Sequence, residues 1–247
     1  MADARHILRI SGNDAKSFLQ GLVTNDVDKT SDGLVYAALL TPQGKYLADF
    51  FMLADGEDIL IDVDASLAAP LKMRLSMYKL RADVAITDAD LYVHRGLSDA
   101  PEDGHLDPRD PTLGWRAYRD VAQTDDTTDW TSLYVAAEVP LTGVELHSDS
   151  YILEMGFERL GGVDFHKGCY VGQEVTARMK HKTELRKGLA LVKVEGTAPV
   201  GADLTSQDGK AAGTLYTQAN GQGIAYLRFD RAQGPMQAGD ATVTWEP

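Results

Sequence analysis

From Arg5 to Ile10 apolar and polar positions alternate, the period of a strand with one buried face, and Ser11-Gly12-Asn13-Asp14 then offers caps for a helix carrying Phe18, Leu19 and Leu22. Apolar runs at Leu34 to Leu40 and Tyr46 to Leu53 flank Thr41-Pro42-Gln43-Gly44 and read as a hairpin, with a further strand at Ile59 to Val63. Leu67, Leu71, Leu75 and Tyr78 recur at helical spacing and predict a core-facing helix over 66–80, with Pro70 near its first turn or at a bend. Strands at Val84 to Ile86 and Leu91 to His94 complete a first half that mixes strands and helices as an α+β unit does.

The pattern then changes. Residues 98–129 hold nine Asp or Glu and three Pro with few aliphatics, which predicts solvated loops around a short strand at Trp115 to Tyr118. A helix over Trp130 to Glu138 is ended by Pro140. From Leu189 onward short β-like runs (Leu189 to Val194, Gly213 to Tyr216, Ile224 to Leu227, Ala241 to Trp245) alternate with Gly-rich turns, the spacing of a small barrel or sandwich. The helical signals stop near Arg186, so the expected organisation is a mixed α+β region over 1–185 and a β domain over 186–247.

Composition narrows the function classes. A net charge of −13 repels phosphate backbones and argues against direct nucleic-acid binding. No stretch reaches the roughly 20 apolar residues of a membrane span, and the N-terminus lacks a basic segment followed by an apolar one, so the expectation is a cytoplasmic protein without membrane association. A lone cysteine, Cys169, excludes an intrachain disulfide and any cysteine-built zinc or cluster site within one molecule.

Cys169 lies in the densest unusual stretch, Lys167-Gly168-Cys169-Tyr170-Val171-Gly172-Gln173-Glu174-Val175-Thr176-Ala177-Arg178. Gln173 to Met179 has the composition of a helix start, with Glu174 suited to the positive end of the dipole. A cysteine entering that helix two residues from Lys167 has two local reasons to favour the thiolate; it is equally readable as a small packed hydrophobe. His166 and His181 flank the stretch, but their spacing does not converge on the sulfur, and no permanently bound metal is expected.

The run K-G-C-Y-x-G-Q-E-x-x-A-R, complete at 167–178, resembles the signature of the YgfZ family and its mitochondrial iron–sulfur assembly relatives. Phe18 to Val27 resembles that family's F-L-Q-G-x-x-T-N-D-V segment, Gly44-Lys45 before Asp49 its hairpin, and Arg186 to Leu191 the start of its C-terminal barrel. The resemblance implies the folate-binding aminomethyltransferase fold of the glycine-cleavage T-protein: mixed subdomains around a central cavity plus a small C-terminal β-barrel. It also implies a tetrahydrofolate-binding accessory factor that assembles or repairs iron–sulfur clusters, with client enzymes, tRNA-modifying ones included, or cluster carriers as partners and Cys169 as the reactive thiol beside Lys167.

By the same resemblance Glu154, eleven residues before Phe165, would hold the pterin ring, although Ile152 and Asp164 replace the proline and serine of that pattern. Asn25, Asp49, Tyr170, Gln173, Glu174 and Arg178 are further candidate folate contacts, with Tyr78 and Asp26 as weaker ones. Ala48-Asp49 stands where the T-protein carries an acidic pair. The loss of one carboxylate argues against ordinary aminomethyl transfer, and a folate-dependent aminomethyltransferase or demethylase with Asp49 as its base is the alternative.

Overall fold

The computed structural model describes residues 4–181 and 185–246. Two compact units divide the chain, Met1–Thr128 with Glu158–Val175, and Asp129–Phe157 with Thr176–Pro247, an interleaving where the sequence predicts one break near Arg186.

In the first unit, β1 (Arg5–Ser11), α1 (Ala15–Gln20), β2 (Val35–Leu40), β3 (Tyr46–Asp55), β4 (Asp58–Asp64), α2 (Ala65–Lys79) and β5 (Ala85–Asp88) follow the hydrophobic pattern closely. The strands form an antiparallel sheet in the order β2-β3-β4-β1-β5. Its inner face presents Leu8, Ile10, Phe50, Met52 and Ile61 to Leu19 of α1 and to Ala68, Leu71 and Leu75 of α2. Each large side chain removed from water there contributes about 1.5–3 kcal/mol. Asp64 caps α2, its carboxylate accepting from the Ser66 N–H, and the helix runs on through Pro70.

Every residue of β2 is buried because the opposite face of the sheet is covered as well. The register places Tyr36, Phe51 and Asp62 side by side across β2, β3 and β4 on that face. Against them lie residues from a second sheet of β6 (Tyr92–Gly96), β7 (His105–Leu106) and β8 (Trp115–Arg119), ordered β6-β8-β7, and from the loop before β8.

Most of 98–129 is exposed or half-buried, as expected, but the expected solvated face is corrected at its centre. Asp107, Arg109 and Arg116 are buried. Arg116 donates to Asp62 at 3.1 Å and to Asp107 at 3.2 Å, Arg109 forks onto both Asp107 oxygens at 3.0 and 2.8 Å, and Arg5 reaches Asp62 at 2.6 Å. The guanidinium carbons of Arg116 and Arg109 sit 4.2 and 4.7 Å from the Phe51 ring centroid. Charges in a polar stretch can be buried when each finds a partner, and composition alone does not reveal the pairing.

In the second unit α3 (Trp130–Ala136) accompanies a closed barrel of β9 (Lys187–Glu195), β10 (Ala202–Ser206), β11 (Ala211–Ala219), β12 (Gln222–Arg228), β13 (Met236–Ala238) and β14 (Ala241–Thr244). The order β10-β11-β12-β9-β14-β13 leaves no free edge. Val192, Leu204, Leu215, Leu227 and Val243 fill the interior. β10 and β13 escape the sequence reading because they are short and carry few β-branched residues.

Candidate functional site

The site grows from the loop before α4 (Gln173–His181). Lys167 and Tyr170 are buried, whereas Gly168 and Cys169 between them are exposed. The Lys167 Nζ donates to three backbone carbonyls, those of Gln20 at 2.9 Å, Val23 at 2.7 Å and Asn25 at 2.8 Å, and lies 5.5 Å from the Tyr170 ring centroid. Burial pulls its pKa down to about 8, against the carboxylates of Asp26 and Asp164, so at neutral pH the ammonium keeps all three donors.

The three carbonyls converge because the loop after α1 is itself tied. Gln20 donates to Asp26 at 2.9 Å and accepts from the Val27 N–H at 2.9 Å. Asn25 donates to the carbonyls of Tyr36 and Gly161, and Thr24 to that of Gly162. The two stretches that carry the family resemblance, 18–27 and 167–178, are thus a cradle and the lysine it holds. Asp164 turns the chain into the lysine, accepting from the His166 and Lys167 N–H groups and pairing with Lys29 at 2.7 Å. Burial pushes that carboxyl up, but Lys29 and the two N–H groups outweigh it and hold it below the ordinary value.

A second clamp follows the cysteine. Gly172 has φ 85°, and a Cβ there would stand 2.7 Å from the Thr41 carbonyl oxygen; Gly44, φ 74° at the hairpin tip, would set one 2.8 Å from Val175. The loop therefore rests against the β2–β3 turn with backbone in contact. Cys169 is held at the surface between two fixed points.

This geometry alters the local reading of the sulfur. Lys167 is committed to carbonyls and is no solvated cation, and α4 begins four residues after Cys169, beyond the first turn where the dipole acts. Glu174 and the run Arg178, Lys180, His181 occupy the acidic and basic ends of α4. His166 is almost wholly exposed, and Tyr78 packs against the core.

Asp49 is buried and accepts from the hydroxyls of Tyr36 at 2.9 Å and Tyr46 at 2.6 Å. Burial and the Asp49 charge raise the Tyr36 pKa well above its ordinary value, which keeps the hydroxyl a donor. In the second unit Glu154 accepts from the Tyr226 hydroxyl at 2.6 Å, while its backbone carbonyl accepts from Leu189; its other carboxylate oxygen has no hydrogen-bond partner among the described residues. Tyr36, Tyr46 and Tyr226 carry no signal in the sequence, because nothing in spacing links them to their carboxylates.

Comparison with known proteins fits this architecture. The C-terminal β-barrel domain of CAF17 matches residues 186–247. The mitochondrial iron–sulfur cluster assembly factor IBA57 of Mus musculus is 30% identical over 95% of this chain and 78% of its own. The IBA57 homolog of Pyricularia oryzae is 35% identical over 74% of this chain, which spans only 54% of that relative's length. The glycine cleavage system aminomethyltransferase T of Bartonella henselae superposes over 99% of this chain and 83% of its own with a TM-score of 0.76 at 12% identity, which establishes the T-protein-like fold. The expected cytoplasmic location is overturned, since both relatives are described as mitochondrial.

Proposed function

This chain belongs to the IBA57 family of iron–sulfur cluster assembly factors, and on that premise we propose that it lends Cys169 as a transient ligand to a cluster passing between a carrier and a client enzyme. The observation that supports this most is the exposed Gly168-Cys169 pair fixed between buried Lys167 and Tyr170. A cysteine kept for packing would be turned inward.

One thiolate fills one coordination position, so the other ligands come from the carrier, the client or a second thiol. In the exchange Cys169 releases its proton to solvent and forms a bond to iron; a carrier thiolate loses its bond to the same iron and takes up a proton. No electron moves.

The finer reading is that of the YgfZ branch: tetrahydrofolate is bound, and tRNA-modifying enzymes are among the clients. Glu154 fits the pterin, with one oxygen held by Tyr226 and the other open to the ring's amino and N–H donors. Asn25 fits less well, because both of its N–H donors already serve carbonyls. Tetrahydrofolate, when bound, supplies a reduced pterin able to carry one-carbon units. Aminomethyl transfer is not proposed, since both Asp49 oxygens are engaged by tyrosines.

The test uses cells lacking their own factor, supplied with wild type or Cys169→Ser at matched protein levels, and reads the activity of iron–sulfur enzymes. Rescue by wild type alone supports the proposal; equal rescue by both removes Cys169 from it. A fluorescence titration with tetrahydrofolate tests the second part, with Glu154→Gln expected to weaken binding by at least about tenfold.

A further inference from the structure

We propose that the solvent face of α2 docks an acidic amphipathic helix of a partner protein. This goes beyond cluster handling and stands on a different part of the first unit. While Ala68, Leu71 and Leu75 point into the core, Met73, Met77 and Leu80 form an outward row at i, i+4 and i+7, exposed by 63%, 63% and 89%. Neither packing nor backbone geometry accounts for them. Leu80 closes the helix at φ 46°, ψ −105°, a conformation that glycine adopts freely and a γ-branched side chain does not.

Charge says what covers the row. Residues 65–81 hold Lys72, Arg74, Lys79 and Arg81 and no acid, in a chain with 37 acidic and 24 basic residues. Lys72 pairs with Asp88, but Arg74, Lys79 and Arg81 have no ion-pair partner among the described residues. Two flexible thioethers and a leucine flanked by unpaired cations match a helix with aliphatic residues at the same spacing and carboxylates beside them. An anionic membrane or nucleic acid is an extended surface that meets the field of the whole chain, which is strongly negative; a single helix meets only the local patch.

The experiment places a photo-reactive phenylalanine analogue at Met77, or at exposed Thr112 as control, in the full chain expressed in cells lacking the endogenous factor, and sequences the cross-linked peptides. The expected adduct maps to a net-acidic amphipathic helical segment of another protein, appears only with the probe at Met77, and falls at least tenfold with Arg74→Glu/Arg81→Glu but not with Arg74→Lys/Arg81→Lys. No adduct, an adduct to lipid, to a second copy of this chain or to a non-acidic segment, or indifference to charge reversal overturns the proposal. Rescue of iron–sulfur enzymes by the unlabelled wild type is scored in parallel. Rescue without the acidic adduct defeats this surface and leaves the proposed function standing, and the adduct without rescue does the reverse.

Discussion

Two glycines on either side of Cys169 look alike in sequence and differ in what the structure asks of them. Gly172 is held at φ 85° against the Thr41 carbonyl, so Gly172→Ala should cost about 2–3 kcal/mol through strain and displacement of the loop. Gly168 has no left-handed φ and nothing within 4 Å of where a Cβ would be, so Gly168→Ala should change stability by less than about 0.5 kcal/mol. Urea denaturation of the two variants separates these outcomes. Lys167→Met removes the common donor of three carbonyls in a buried cradle and is expected to cost about 2–4 kcal/mol in the same measurement. A Lys167 variant as stable as wild type would show that the cradle does not depend on its ammonium.

At the scale of elements, the layer between the two sheets of the first unit is ionic as well as apolar. Burial pushes the Asp107 carboxyl up, but Arg109, by charge and hydrogen bond, and then Arg116 outweigh it and hold it well below the usual carboxylate range. A carboxyl depressed in the folded state stabilises above its unfolded pKa of about 3.9, and that contribution is lost as pH falls through the folded value. Stability should therefore decline steeply in acid, with a shallower decline for Asp107→Asn, measured as urea midpoints from pH 6 to pH 2. At pH 7 Asp107→Asn or Arg116→Met should cost about 3–5 kcal/mol, because each leaves a buried charge short of its partner.

This layer also marks where sequence reading stops. β1 to β4, α1 and α2 are legible because alternation and helical spacing are local, and α4 and most of the barrel are legible for the same reason; the short 3-10 turn at Val27–Ser31 carries no such period. Asp62 sits in an apolar strand and Asp107 in an acidic loop; only folding brings both to Arg116. The candidate site divides in the same way. Cys169 stood out as the lone thiol in a glycine-flanked run, whereas the cradle around Lys167 depends on carbonyls, which no side-chain pattern records.

At the scale of the molecule, a T-protein-like fold carries a presented thiol in its first unit and a carboxylate–tyrosine pair beside the barrel in its second. With a single cysteine the chain can offer at most one thiolate, so the proposed role of Cys169 requires a second source of thiolate. The most direct test is anaerobic reconstitution with ferrous iron and sulfide, with and without glutathione, followed by visible absorption after gel filtration. A cluster on wild type only when glutathione is present, and none on Cys169→Ser under either condition, is the predicted result. A cluster retained by wild type without a second thiol, or equal loading of Cys169→Ser, would contradict the role assigned to Cys169.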